Sequence, residues 1–149
     1  MTKLNVGCGQ QIEIGHEWIN IDVYPQHPLV KLIDVDDGLP YDDDSFDELR
    51  VWGNLSEFKR DVMFHMNNFW RVLQNGGILD VKIAVVDNGT GAFRDPIARR
   101  YLNSQWVEYF FIGGKWENSG YGLGFKGKFE MVSNEVAGEV HRVILKAVK

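Results

Sequence analysis

Three short runs in the first quarter of the chain place reactive or ligand-holding residue types at regular intervals: Gly7-Cys8-Gly9, then Asp22, then Asp34-Val35. Each follows an apolar stretch that reads as a strand, so each stands where a strand ends. Two glycines with no side chain let a ligand lie against the backbone. A carboxylate at the next strand end suits the two hydroxyls of a ribose, because one acceptor group can take hydrogen bonds from both. A second carboxylate beside a valine suits the exocyclic amine and the apolar face of a purine. Together they read as a nucleoside lying across three strand tips; the alternative role for each aspartate is that of a solvated loop residue. The glycine turn is not a dinucleotide fingerprint, since Ile12 stands where G-x-G-x-x-G needs its third glycine.

These residues require a sheet to position them. Strands are expected at Leu4–Val6, Trp18–Asp22, Leu29–Asp34 and Phe46–Trp52, with a fully apolar one at Ile78–Val86. Leu55, Phe58, Val62, Met66, Phe69 and Leu73 recur every three or four residues, predicting an amphipathic helix from Ser56 to Gln74 that stops at Asn75-Gly76-Gly77. The connections 10–17 and 23–28 are too short for a crossover helix, so one helical layer should be trimmed. A helix is expected near 97–111, with a break and new N-cap at Asn103-Ser104. The glycines of 112–127 suggest a mobile loop. Two alternating strands, Lys128–Val136 and Glu139–Val148, joined at Ala137-Gly138, close the chain as a hairpin. The fold class is therefore α/β: a Rossmann-like open twisted sheet of about seven strands, mostly parallel, with an antiparallel C-terminal hairpin strand. It reads as one domain over 1–149: a ligand-binding half (1–87), a variable substrate-side segment (88–127) and the hairpin (128–149).

Composition narrows the function classes. The 149 residues carry a formal net charge of −5, so no overall field favours a polyanion, and no nucleic-acid partner is expected. No apolar run approaches the ~20 residues that span a bilayer, and the start lacks a signal peptide, so the expectation is a cytoplasmic protein without membrane contact. A single cysteine, Cys8, excludes an internal disulfide. The acidic run between Asp34 and Glu48 misses the calcium-loop register, and the four histidines have no metal-ligand spacing; no metal is expected.

The series LNVGCG (4–9), NID (20–22), D-x-x-x-x-LPYDDDSFD (34–47) and RVLQNGG (71–77) resembles the small class I S-adenosylmethionine-dependent methyltransferases, of the methyltransferase-11-like group. Their pattern runs glycine turn, acidic strand end, "LPF-D-x-SFD" and "RVLKPGG", and the likeness covers roughly residues 3–87. Residues 89–106 also resemble a "GAFxDPTH" block in some members. The resemblance implies S-adenosylmethionine as cofactor, with Gly7, Cys8, Gly9, Asp22, Asp34 and Val35 as contacts and the segment from Trp52 to Leu55 beside the methionine part. It implies methyl transfer to a small-molecule substrate; a non-catalytic binder of the cofactor or its demethylated product is the alternative. Two departures stand out: Leu55-Ser56-Glu57 replaces "LEH", and Ile97-Ala98 replaces the later Thr-His. Methyl transfer needs chiefly an oriented nucleophile in a dry site, because a sulfonium is already an activated leaving group. The polar candidates on the acceptor side are Asp87 and Asp95, with Tyr101, Trp106 and Tyr109 as pocket walls. Their alternative roles are a cap, a turn and a packed aromatic helix face.

Overall fold

The computed structural model describes all residues, 1–149. Seven strands form one sheet: β1 (Lys3–Val6), β2 (Trp18–Asp22), β3 (Val30–Leu32), β4 (Phe46–Trp52), β5 (Leu73–Ala84), β6 (Phe129–Ala137) and β7 (Val140–Ala147), in the order β3-β2-β1-β4-β5-β7-β6. The first five run parallel, and β7 pairs antiparallel with both β5 and β6. The chain leaves β1 toward one edge and returns to β4 on the other side, so the strand order switches between β1 and β4. At such a switch the loops diverge and leave a crevice at the carboxyl ends of the strands.

One face of the sheet makes the core. Leu4, Val6, Leu49, Val51, Leu79, Val81, Val143 and Leu145 alternate along their strands and are fully buried, in one cluster with Met66, Phe69 and Val72 of helix α1 (Val62–Val72). The connections 7–17 and 23–29 hold no helix, and the opposite sheet face carries charge instead. There the Arg50 guanidinium lies 4.5 Å from the Trp18 ring centre and 4.2 Å from that of Trp52. Arg142 grips Asp80 with two bonds (3.0 and 2.8 Å), and Lys3 pairs with Glu48 at 3.0 Å. Aromatic rings under cations keep apolar area covered without a helical layer.

Several boundaries differ from the sequence pattern. Helix α1 begins at Val62, not Ser56, because Asp61 caps it by accepting from the Phe64 N–H (2.7 Å) while the preceding residues turn. Those residues are held by Asp36, which accepts from the N–H groups of Lys59 (3.0 Å) and Arg60 (2.8 Å); Leu55 and Phe58 still reach the core, which is why they kept the helical period. The helix ends at Val72 and β5 starts at once, so Asn75-Gly76-Gly77 forms an irregularity inside that strand, with Gly76 at φ +80°. No helix runs from 97: the chain stays irregular to Asn103, whose side chain caps a 3-10 turn, Ser104–Tyr109. Segment 112–127 is not an open loop. It contains a short helix, α2 (Glu117–Gly122), with Gly120 packed where a Cβ would meet the Tyr109 carbonyl at 2.1 Å. The hairpin turns at Gly138-Glu139, one residue later than expected, with Gly138 at φ +60°.

Candidate active site

Two adjoining cavities open at the carboxyl ends of the strands. The first, about 290 Å³, is bordered by Gly7 after β1, Asp22 ending β2, and Asp34 and Val35 after β3. Asp22 is fixed there by its neighbours: Oδ2 accepts from the Gly9 N–H at 2.9 Å and Oδ1 from the Tyr24 N–H at 2.8 Å. Each carboxylate oxygen retains a second lone pair for a hydroxyl. Asp34 caps the 3-10 turn Val35–Asp37 through Oδ1, which accepts from the Asp36 N–H at 3.0 Å. This cap shortens the third strand relative to the expected Leu29–Asp34 and turns Val35 into the cavity wall.

Asn54, in the loop after β4, faces the same cavity. Its Nδ2 donates to the carbonyls of Gly7 and Val6, and its Oδ1 is buried with no partner. Gly7 has φ +59°, and a Cβ there would fall 1.6 Å from Asn54 Nδ2. Glycine is therefore required twice at this position, by backbone conformation and by the amide above it. Cys8 is buried behind the turn, and burial with the Asp22 charge pushes its thiol up to about 11. It is inert as a nucleophile near neutral pH.

The second cavity, about 370 Å³, lies over the ends of β4 and β5 and the start of β7, with Trp52, Lys82 and Val140 among its walls. Segments 53–58 and 95–100 separate it from the first. Arg100 ties them together, donating to the carbonyls of Leu55 (2.7 Å), Phe58 (2.8 Å) and Arg60 (2.7 Å), and the Arg99 N–H donates to the Ser56 carbonyl at 2.8 Å. Residues of this partition face alternately to either side: Glu57 and Arg99 to the first cavity, Ser56, Asp95 and Arg100 to the second. Burial first, then the neighbouring Asp95 carboxyl and the charge of Asp22, raise the Glu57 carboxyl to about 7.

The remaining expected residues fall elsewhere. Trp52 lines the second cavity rather than the first, its ring under Arg50. Leu55 is fully buried in the core, so its side chain faces neither cavity and only its carbonyl serves the site, as an Arg100 acceptor. Asp87 caps the 3-10 turn, accepting from the Ser104 N–H and hydroxyl; Tyr101 is half exposed, its ring 4.6 Å from that of Phe93. Neither lines either cavity, and Tyr101 lies on irregular chain rather than on a packed helix face. Asp95 does line the second. Asn54 lies within the segment Trp52 to Leu55 expected beside the methionine part, whereas Glu57 and Arg100 were not among the expected site residues. For Glu57 a signal existed, since it occupies the place of the histidine in "LEH"; for Arg100, whose partners lie 40 to 45 positions away, none did. No cluster of three His, Cys, Asp or Glu is placed to hold a metal ion.

Below the first cavity, His65 of α1 latches the partition loop. Its Nε2 lies 3.1 Å from Asp36 Oδ1, and its ring packs on Phe58 at 4.5 Å. Burial drives the His65 ring down to about 4 despite the Asp36 charge, so the ring is neutral at pH 7. A base lowered by folding contributes stability that is complete above its unfolded value, near 6.5, and is lost as pH falls toward 4. Glu57 has the opposite slope: an acid raised by folding adds stability below about 4.5 that disappears as pH rises through about 7. In a Glu57→Gln background the urea midpoint should therefore fall steadily from pH ~6.5 to pH ~4. A flat midpoint over that window would rule out His65 as the acid-sensitive latch.

No family model and no curated protein matches the chain. Solved structures do. A SAM-dependent methyltransferase from Methanosarcina mazei superposes with a TM-score of 0.68 at 14% identity, covering 99% of this chain and 92% of its own. One from Archaeoglobus fulgidus gives 0.64 at 11% identity, covering 97% and 85%. The (4+2)-cyclase SpnF gives 0.62 at 17%, covering 99% and 74%. The chain thus has the fold of the SAM-dependent methyltransferases, a fold that also appears in a protein named for a different reaction.

Proposed function

We propose that the chain binds S-adenosylmethionine in the first cavity and transfers its methyl group to a small molecule held in the second. The observation that carries this reading is the pairing at the tip of β1: a glycine with no room for a Cβ beside Asn54, whose buried Oδ1 lacks a donor. A buried acceptor left unpaired costs about 1–3 kcal/mol, and a ligand ammonium such as that of the methionine part would satisfy it. Asp22 would hold the ribose hydroxyls, Asp34 the adenine amine and Val35 the ring face, while Gly7 and Gly9 allow close approach. The bound cofactor would supply a methyl on a positively charged sulfur. What the protein adds is placement: the acceptor would lie in the adjoining cavity, against Trp52 and the end of β5. The net charge of −5 disfavours a nucleic-acid acceptor, and no helix is long and apolar enough to cross a membrane.

Titration calorimetry with S-adenosylmethionine, adenosylhomocysteine and NAD tests the reading. The first two should bind and NAD should not; absence of binding by both adenosyl ligands would overturn it. Methyl transfer from labelled cofactor to a panel of small acceptors then separates an enzyme from a non-catalytic binder. Asp22→Ala should weaken adenosylhomocysteine binding by about 1–3 kcal/mol, the value of hydrogen bonds to a charged group. Unchanged affinity in a folded variant would take Asp22 out of the site.

A further inference from the structure

We propose that the second cavity is a binding site for a small organic carboxylate, and that Lys82 is the residue that holds its charge. The site stands on that cavity alone and does not depend on a cofactor in the first. Lys82 lies on β5 directly between Trp52 of β4 and Arg142 of β7, and residues opposite one another across strands point to the same side of a sheet. The other cations of that face each meet a carboxylate: Lys3 meets Glu48 at 3.0 Å, Arg142 meets Asp80 at 2.8 Å, Lys146 meets Glu130 at 2.6 Å, and Arg50 pairs with Glu13. The Lys82 ammonium meets a ring instead, 4.4 Å from the Trp52 centre.

Charge around the cavity is therefore out of balance. The Arg50 guanidinium lies 4.2 Å and that of Arg142 5.6 Å from the same ring centre, so three cations converge on one indole. Asp80, two positions before Lys82 on β5, is already held by Arg142 through both of its oxygens. Inside the cavity the one carboxylate is that of Asp95, and it is turned back on its own chain, its Oδ1 accepting from the Ile97 N–H at 2.9 Å. Arg100, on the same wall, keeps its charge while its donors serve three carbonyls. Two cations thus face one engaged carboxylate. A half-buried ammonium without a counter-ion attracts an anion more strongly than one in open water, because less solvent screens it. A single unmatched ammonium suits a singly charged carboxylate; the arginine forks that a phosphate would use are already committed. Ile83 and Val140 suit an apolar body, and Ser56 and Gln11 add a hydroxyl and an amide to the walls for the ligand's oxygens. The volume, about 370 Å³, is that of a small-molecule site.

Three probes that share a ring and differ in charge test the site: phenylacetate, benzyl alcohol and benzylamine. Each is titrated into the chain without cofactor while the indole N–H signal of Trp52, assigned by its loss in Trp52→Phe, is followed by NMR. Phenylacetate should shift that signal with a Kd on the order of 1 mM, and the neutral alcohol and the cationic amine should bind roughly tenfold more weakly or not at all. Lys82→Gln should lower phenylacetate affinity roughly tenfold, and Lys82→Arg should restore most of it. Val140→Glu, which sets a carboxylate on a wall residue that is 42% exposed, should weaken phenylacetate as Lys82→Gln does, and it decides the matter if Lys82→Gln does not fold. Absence of phenylacetate binding, equal binding of the three probes, or phenylacetate affinity unchanged by Lys82→Gln or by Val140→Glu overturns the proposal and leaves Lys82 as a cover for Trp52. Adenosylhomocysteine, titrated separately into the unsubstituted chain, reports on the first cavity, so failure of the cofactor reading and failure of this one are told apart.

Discussion

Gly7→Ala is expected to reduce adenosylhomocysteine affinity by at least a hundredfold, about 3 kcal/mol. Two costs coincide at this residue. A side chain at φ +59° costs about 1–2 kcal/mol of backbone strain. The new Cβ would also sit 1.6 Å from Asn54 Nδ2, so the amide must leave, taking with it the unpaired Oδ1 and uncapping the carbonyls of Val6 and Gly7. Gly9→Ala is the matched control. It has a similar φ, +53°, but no atom within 4 Å of the added carbon, so only the strain should appear. Calorimetry on both variants, with denaturation curves to confirm folding, checks the expectation. If Gly7→Ala binds like Gly9→Ala, Asn54 has no part in holding the ligand.

Arg100→Ala should lower the unfolding free energy by about 2–4 kcal/mol, since hydrogen bonds to a charged group are worth ~1.5–3 kcal/mol each and three of them share one guanidinium. Burial pulls Arg100 below its ordinary value, but the charges of Asp36 and Asp61 oppose this and the group stays protonated. Its forked donors span carbonyls at positions 55, 58 and 60, a task one ammonium cannot repeat, so Arg100→Lys should recover less than half of the loss. The readout is the urea midpoint together with protease cleavage, which should appear first in residues 53–60 as the partition comes free. A loss below ~1 kcal/mol would mean that Asp36, through Lys59, Arg60 and His65, holds the loop alone.

Pattern in the chain determined the strands and what ends them. β2 and β4 occupy the residues expected of them, and the trimmed layer followed from connections too short to hold helices, because alternation and length are local properties. The three strand tips with Gly7, Asp22 and Asp34 were legible for the same reason: each lies next in sequence to the strand that positions it. Only the tertiary structure decided how the second half meets the first. The helical period at Leu55 and Phe58 was real, yet it came from two core contacts on a turn, not from a helix. Gly120 and Gly127 serve close packing against Tyr109 and Trp70, where sequence alone reads looseness. Most of all, Arg100 meets the carbonyls of Leu55, Phe58 and Arg60 across gaps of 40 to 45 residues. A hydrogen bond between groups so far apart in the chain leaves no periodic trace; it exists only because β4 and β5 lie side by side and turn their following loops toward each other.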